Sequence, residues 1–114
     1  MTRIVKTVDM RTIEATIGGA PTISIEGIID LASVGELHDV LNRAVRRNAG
    51  AAVIVDLDAV VGIDDCAFGV LLGAAATARE NAGDIELVCN SEALRHRLER
   101  TRLDQAITVR STIS

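Results

Sequence analysis

The sequence predicts an α/β fold in which helices pack against a mixed β-sheet of about five strands, in the order ββαβαβαβ. Two segments near the N-terminus alternate apolar and polar residues, as half-buried strands do. Beyond them, β-branched apolar runs alternate with segments of helical period, which is typical of parallel strands joined by crossover helices. Phe68 is the one aromatic residue, so the core must be aliphatic, and aliphatic residues suit a parallel sheet buried under helices.

The first two strands are predicted to form an antiparallel hairpin. Apolar residues fall on one face of each strand, and Gly18 and Gly19 between them mark the turn. The residues that define these faces are Ile13, Ala15 and Ile17 in the first strand and Ile23 and Ile25 in the second. Residues 1–10 form either an N-terminal extension or an additional edge strand, and the sequence leaves both interpretations open.

The first helix is predicted from about Val34 to Arg47, where apolar residues recur at helical period. Ser33 and Glu36 have the spacing of a capping box at its beginning. We therefore expect the Ser33 side chain to cap this helix.

The second helix is predicted from Cys66 to about residue 81, and Gly83 is expected to end it as the C′ residue. Gly69 and Gly73 lie one turn apart within it. Because glycine costs about 1 kcal/mol in a helix interior, we expect both glycines to permit close packing of the helix on the sheet. One of the two aspartates that precede the helix, Asp64 and Asp65, is expected to cap its N-terminus.

Three further strands complete the alternation. Residues 51–57 form a continuous apolar run that suits a central strand buried on both faces. Shorter strands are predicted at 85–89 and 106–110, and a third helix, capped by Asn90 or Ser91, lies between them.

This third helix is expected to extend to about Arg102. Its arginines are spread around the helix circumference and mixed with glutamates, so we interpret them as a solvated surface. They are Arg95, Arg97, Arg100 and Arg102.

Composition limits the classes of function. At 114 residues, without a proline-rich linker, the chain 1–114 is predicted to be a single domain. A net charge of −4, with one aromatic residue, argues against nucleic-acid binding, which needs a basic surface and stacking aromatics. The sequence lacks a signal peptide and a long uncharged apolar run, so we expect a cytoplasmic protein without a membrane partner.

The sequence contains few candidates for chemistry. The histidines, His38 and His96, have no ligand partners at metal-binding spacing, and there is no phosphate-binding glycine loop. We therefore expect no metal, no cofactor and no enzymatic activity. Cys66 and Cys89 should lie at the same edge of the sheet, where they could form a redox-switchable disulfide or serve as small apolar residues.

Three segments share their pattern with one known family. Residues 27–33 read Gly-Ile-Ile-Asp-Leu-Ala-Ser, residues 53–57 read Val-Ile-Val-Asp-Leu, and residues 63–72 read Ile-Asp-Asp-Cys-Ala-Phe-Gly-Val-Leu-Leu. They resemble the signature, the central strand and the Ile-Asp-Ser-Ser-Gly-Leu-Gly-Val-Leu-Leu segment of STAS domains, which include bacterial anti-sigma factor antagonists. The resemblance covers about residues 12–110 and implies a STAS-type fold.

The resemblance also implies a function in bacterial transcription regulation. In the family, the domain binds an anti-sigma factor that is also a serine kinase, which frees a sigma factor, and phosphorylation of a serine breaks the complex. Asp64 matches the family aspartate, while Asp65 occupies the phosphoacceptor position. Cys66 and Ala67 replace the family's serine and glycine. Because a carboxylate cannot accept the serine phosphate, the resemblance does not carry over phosphorylation at position 65.

Several consequences of Asp65 remain open. The carboxylate could imitate phosphoserine, although a phosphate carries nearly twice the charge and three acceptor oxygens. Alternatively the partner tolerates Asp65, and the domain is always available or is controlled through Cys66 and Cys89. A hydroxyl elsewhere, such as Ser33 or Thr77, would be a third route of control.

From the resemblance we expect a docking surface formed by the loop before the second helix and the exposed side of that helix. Asp65 would set the charge at its centre, Gly69 would allow close approach, and Asp30 would line the neighbouring loop. Asp64 and Cys66 are also expected to bind the partner. The main alternative is a STAS-like subunit of a larger assembly, such as a stressosome-type scaffold or a lipid-transport complex, without phosphorylation. Formation of a homodimer also remains open.

Overall fold

The computed structural model describes residues 9–111. Its elements are β1 (Arg11–Ile17), β2 (Ala20–Ile29), α1 (Val34–Arg47), β3 (Ala52–Ile63), α2 (Cys66–Glu80), β4 (Asp84–Val88), α3 (Glu92–Arg100), α4 (Leu103–Ala106) and β5 (Thr108–Arg110). The choice between an extension and an edge strand at residues 1–10 falls mostly outside the described residues. Asp9 and Met10, which are described, belong to no strand.

The five strands form one mixed sheet in the order β1-β2-β3-β4-β5, which confirms the predicted α/β class. β1 pairs with β2 in the antiparallel direction, and the other neighbours are parallel. A right-handed crossover that always steps to the next strand places each helix on the same face of the sheet. One core therefore lies between the sheet and the helices.

Aliphatic side chains from the helices and from one face of the sheet fill this core. Its fully buried members include Ile25 and Ile29 from β2, Leu37 and Leu41 from α1, Val53 and Val55 from β3, Leu71 and Ala75 from α2, and Ile85 and Leu87 from β4. The continuous apolar run in β3 is thus explained by burial in the centre of the sheet.

The apolar faces of the two hairpin strands point in opposite directions. Ile13 pairs with Ser24, so it lies on the face of Ser24 and away from Ile23. Ile13 is 51% exposed, whereas Ile23 belongs to the core. Gly18 and Gly19 have φ values of 59° and 81°, and this two-residue turn fixes the register. The hairpin prediction is confirmed, but the apolar face of β1 is not part of the core.

The end of α2 shows why Gly83 is required. The residue with positive φ is Ala82, at 61°, and the Gly83 amide donates to the Ala78 carbonyl at 2.8 Å, as in a Schellman motif. Gly83 is therefore the C″ residue, and its prediction as C′ is wrong. A Cβ at position 83 would lie 2.4 Å from the Ala51 carbonyl oxygen, so the glycine permits a close approach to the neighbouring chain.

The prediction for the glycines within α2 is wrong. Gly69 and Gly73 are exposed, and among residues 9–111 a Cβ at either position would meet no heavy atom within 4 Å outside its own helix. The helix packs on the core through alanines instead, since their small side chains bring it close to its neighbours. These residues are Ala67, Ala74, Ala75 and Ala78.

The region after β4 contains one more helix than predicted. The Ser91 hydroxyl accepts a hydrogen bond from the Leu94 amide at 3.3 Å, which confirms the cap of α3. The helix ends before Arg102, which has a left-handed conformation with φ of 60°. This turn carries Leu103 back into the core, so a short α4 forms and β5 begins at Thr108. The observed order is therefore ββαβαβααβ.

Candidate functional site

The loop between β2 and α1 is a closed turn held by its own side chains. The Ser33 hydroxyl accepts a hydrogen bond from the Asp30 amide at 2.9 Å, and the Asp30 carboxylate accepts one from the Ser33 amide at 3.1 Å. Ser33 has helical backbone angles and makes no side-chain cap, so the predicted capping box is wrong. The Ser33 hydroxyl is already engaged in the turn, because the side chains of Asp30 and Ser33 each accept a hydrogen bond from the backbone amide of the other residue.

This turn borders an acidic cleft. The cleft has a volume of about 320 Å³, and three carboxylates, Asp9, Asp30 and Glu36, line it together with apolar atoms from Met10 and Ile28. Asp30 therefore shapes its turn and also contributes negative charge to the surface beside it.

The loop between β3 and α2 lies beside this turn. β2 and β3 are parallel, and Ile29 pairs with Ile63 at their carboxyl ends. The Asp64 amide then donates to the Ile29 carbonyl at 2.8 Å. Both loops follow carboxyl ends of neighbouring parallel strands, where binding residues commonly collect in α/β folds. The structure thus brings the segment with Asp30 and the segment with Asp64 and Asp65 to one edge of the sheet.

Asp65 occupies the N-cap position of α2, but its side chain does not cap the helix. Its backbone has helical angles, and its carbonyl accepts from the Phe68 amide at 3.0 Å. Its carboxylate instead accepts a hydrogen bond from Arg97 at 2.6 Å. The expectation that an aspartate side chain caps α2 is therefore wrong for Asp65, because an ion pair takes the carboxylate away from the helix terminus.

Arg97 is the residue of this region that the sequence interpretation missed. Its guanidinium donates to the Ile63 carbonyl and to Asp65, and its central carbon lies 5.0 Å from the centroid of the Phe68 ring. The side chain is 30% exposed, so it is not part of a freely solvated surface. One signal was available: Arg97 stands three residues after buried Leu94, on the side of α3 that faces the sheet.

The exposed face of α2 adjoins the loop between β3 and α2. Cys66, Gly69 and Gly73 are exposed, and Leu72 is 43% exposed. Gly69 therefore lies toward solvent and not toward the sheet. The role of Gly69 as a contact residue stays a prediction.

Two further apolar side chains are exposed at the same edge of the sheet. Leu31, in the turn after β2, is 76% exposed, and Val61, near the end of β3, is 71% exposed. The pairing of Ile28 with Gly62 places these two strand ends next to each other. Sequence patterns did not single out either residue, because an apolar residue after a strand looks the same whether it is buried or exposed.

The two cysteines have different environments. Cys66 is exposed and Cys89 is buried, and both are free thiols. Burial raises the pKa of the Cys89 thiol, which also donates a weak hydrogen bond to the Ser91 carbonyl. Since the thiolate is the reactive form, Cys89 is poorly suited to start an exchange reaction. The redox switch stays a prediction.

The described part of the chain holds neither a metal-binding cluster nor a membrane-spanning helix. Within residues 9–111, no group of three or more His, Cys, Asp or Glu side chains is placed to hold a metal ion. Over the same range, no helix has the length and apolar character that crossing a membrane requires.

Comparisons with known proteins identify a family model and several solved structures of the same fold. The family model described as the STAS domain matches residues 11–114. A solved anti-sigma factor antagonist from Mycobacterium paratuberculosis has a TM-score of 0.82 and 21% identity, over 92% of this chain and 88% of that chain. No curated protein matches the sequence.

Two other solved structures have the same fold. A STAS domain protein from Planctomyces limnophilus has a TM-score of 0.73 and 17% identity, over 90% of each chain. The anti-sigma factor antagonist SpoIIAA in its unphosphorylated form has a TM-score of 0.70 and 17% identity, over 89% of each chain. These identities are low, so the likeness is one of fold.

Proposed function

This chain belongs to the STAS domain family, and we propose that it is an anti-sigma factor antagonist. It binds an anti-sigma factor of the serine kinase type and so frees a sigma factor for transcription. The observation that carries this proposal is the surface at the carboxyl edge of the sheet, where the Asp64 amide fastens the second loop to the Ile29 carbonyl. We define the docking surface by seven residues of the two loops and of α2, all exposed except Asp30, which is half-buried: Asp30, Leu31, Asp64, Asp65, Cys66, Gly69 and Leu72.

The chemistry of the docking surface supports a protein partner. Leu31 and Leu72 supply exposed apolar area, and Asp30 and Asp64 add negative charge from the two loops. Protein interfaces commonly combine an apolar centre with a polar rim, and complementary charge steers the encounter. The partner should therefore present an apolar patch bordered by basic residues.

Gly69 adds a geometric argument. It lies on the exposed face of α2, where a Cβ would meet no heavy atom within 4 Å from the described part of the chain outside its helix. Because glycine has no side chain, the backbone of a partner can approach the helix closely at this position.

Binding alone accounts for the proposed function, so the domain needs neither a catalytic group nor a cofactor. The sigma factors that it would release act on RNA polymerase, and the proposal therefore places the protein in the bacterial cytoplasm. The proposal assigns no covalent control to position 65, because an aspartate stands there.

A second candidate function is that of a subunit in a larger assembly, including a homodimer. The exposed apolar face of β1 favours it, since Ile13 is 51% exposed and Ile17 is 39% exposed on an edge strand. An edge strand with apolar side chains can pair with another chain. This surface is separate from the docking surface, so one substitution in each distinguishes the two candidates.

Calorimetry with a panel of purified anti-sigma factor kinases, with ATP or ADP present, tests the proposal. The wild-type domain and Asp65→Ser should both bind at least one kinase, and that kinase should phosphorylate Asp65→Ser alone. Leu72→Ser should weaken binding by about tenfold or more, as expected for an apolar contact near the centre of an interface.

Ile13→Ser is the matched control, because it also replaces an exposed apolar residue but lies in β1. It should leave kinase binding unchanged. If no kinase binds and Ile13→Ser instead dissociates a dimer in light-scattering measurements, the assembly candidate replaces the antagonist.

A further inference from the structure

One arginine connects α3 to the centre of the docking surface. The guanidinium of Arg97 donates to the Ile63 carbonyl and to the Asp65 carboxylate, and it lies over the Phe68 ring. These three partners are the last residue of β3, the N-cap residue of α2 and a residue in the first turn of α2. Arg97 therefore contacts the loop from both of its ends.

The two members of the ion pair differ in exposure. The Asp65 side chain is 84% exposed, while that of Arg97 is 30% exposed. An exposed ion pair contributes little to folding stability, because water and salt screen it. The pair therefore matters mainly for the charge of the docking surface. The Arg97 guanidinium is a fixed cation beside the Asp65 carboxylate, which a docking partner would cover.

Covering a lone carboxylate would be costly. A charge that loses its hydration needs a partner group, and an unpaired charge inside an interface weakens binding. Arg97 already supplies such a group from within the domain. The Asp65 side chain thus presents an ion pair to the docking partner and not a free anion.

We propose that Arg97 is a positioning residue of the docking surface that neutralises Asp65, so that Asp65 does not imitate a phosphoserine and the domain remains competent to bind its partner. The inference rests on the proposed function, because it describes the regulation of the same surface. A phosphate at this position would carry a charge of about −1.5 to −2, which a single guanidinium does not balance. The carboxylate carries one charge, which Arg97 does balance.

The first experiment uses the free domain and needs no partner. Amide hydrogen exchange measured by NMR reports the order of the loop through three amides: Asp64, which donates to Ile29, and Ala67 and Phe68, which donate to the carbonyls of Asp64 and Asp65. Arg97→Met should accelerate their exchange by about three- to tenfold, because the loop loses its contact with α3.

Two variants control this measurement. Arg100→Met removes the same charge from an exposed position of α3 and should leave the three rates unchanged. Arg97→Lys keeps the charge but loses the planar fork that reaches two acceptors, and it should give intermediate rates. If the Arg97→Met rates stay within about twofold of wild type, the loop is not held by Arg97 and the inference is overturned.

The second experiment measures affinity for an anti-sigma factor kinase that binds the wild-type domain. Arg97→Met should weaken binding by about tenfold, because the carboxylate is then unpaired. Asp65→Asn should remain within about threefold of wild type, since it removes a charge that is already balanced. The double variant should return to within about threefold of wild type.

This recovery is the readout that a merely structural role of Arg97 would not produce. A double variant that binds as weakly as Arg97→Met would mean that Arg97 acts through shape alone, and it would overturn the inference. An Asp65→Asn variant that binds more than about tenfold better than wild type would show an unbalanced charge and would also overturn it. If no kinase binds the wild type, the proposed function fails, and the exchange rates alone decide whether Arg97 positions the loop.

Discussion

The two loops at the carboxyl edge of the sheet are held in different ways. In the loop between β2 and α1, Asp30 and Ser33 bond to each other's backbone amides, so the turn is closed by residues three positions apart. In the loop between β3 and α2, Asp65 is held by Arg97, which lies 32 positions along the chain. The first loop is therefore a local structure, and the second depends on the packing of α3.

This difference affects how each loop can change. A local turn forms whenever its own residues are present, because the hydrogen bonds span a short segment. A loop held from a distant helix can loosen without unfolding the sheet, since the Arg97 guanidinium that contacts Asp65 belongs to α3 and not to the loop. Of the two loops, the one that carries Asp65 can therefore loosen more easily.

The largest effect is expected in the local turn. Asp30→Ala should lower the free energy of unfolding by about 1–3 kcal/mol, because the Ser33 amide and hydroxyl lose an acceptor in a part-buried position. Urea denaturation followed by circular dichroism measures this loss. Asp64→Ala replaces an exposed aspartate of the other loop and serves as the control. Equal losses in the two variants would contradict the distinction between the loops.

A smaller effect is expected where the second loop contacts α3. Arg97→Met should lower the free energy of unfolding by about 1 kcal/mol, since the ion pair is exposed on the Asp65 side and the contact with Phe68 adds modestly. The same denaturation experiment applies, with Arg100→Met as the control. A loss as large as that of Asp30→Ala would mean that the second loop is also integral to the fold.

The helix that follows the second loop gives a test of opposite sign. Gly69→Ala should raise the free energy of unfolding by about 0.5–1 kcal/mol, because alanine favours the helix and its Cβ has no neighbour within 4 Å among the described residues outside α2. Gly83→Ala is the contrasting variant, since its Cβ would lie 2.4 Å from the Ala51 carbonyl oxygen, and it should destabilise the domain. Destabilisation by Gly69→Ala would place that glycine in an internal contact.

The smallest effect is expected from salt. Raising the ionic strength to about 1 M shortens the Debye length to about 3 Å and weakens exposed charge pairs. The stability difference between wild type and Arg97→Met should therefore shrink, while the difference between wild type and Asp30→Ala should change less, because Asp30 accepts from neutral groups. Parallel urea titrations at low and high salt measure both. Equal salt sensitivity would contradict the comparison.

The contrast between local contacts and contacts from distant parts of the chain also explains which features the sequence could predict. The strands and most of the helices follow from the period of apolar residues, and Ser91 caps α3 as predicted. The Asp30 turn lies within a motif that the family resemblance identified. Arg97 was missed because the predicted helix carried four arginines that were interpreted together as a solvated surface. Its spacing of three from Leu94 was the one available signal, and the packing shows that it reaches the loop.

Two errors have a similar physical origin. Ser33 and Glu36 have capping-box spacing, yet the Ser33 hydroxyl bonds to Asp30, which competes for the same group. In a sequence, a glycine at position 69 is equally compatible with close packing of the helix on the sheet and with an exposed surface that a partner contacts. Only the burial of Gly69 in the structure distinguishes these two interpretations. In each case the deciding interaction lies outside the local pattern.

The most direct test of the proposed docking surface is an NMR titration of the labelled domain with an anti-sigma factor kinase that binds it. The account predicts that amide signals of residues 30–33 and 63–72 shift or broaden, while those of β1, residues 11–17, stay unchanged. Shifts confined to β1 would contradict the account and would place the partner on the exposed apolar face of Ile13 and Ile17.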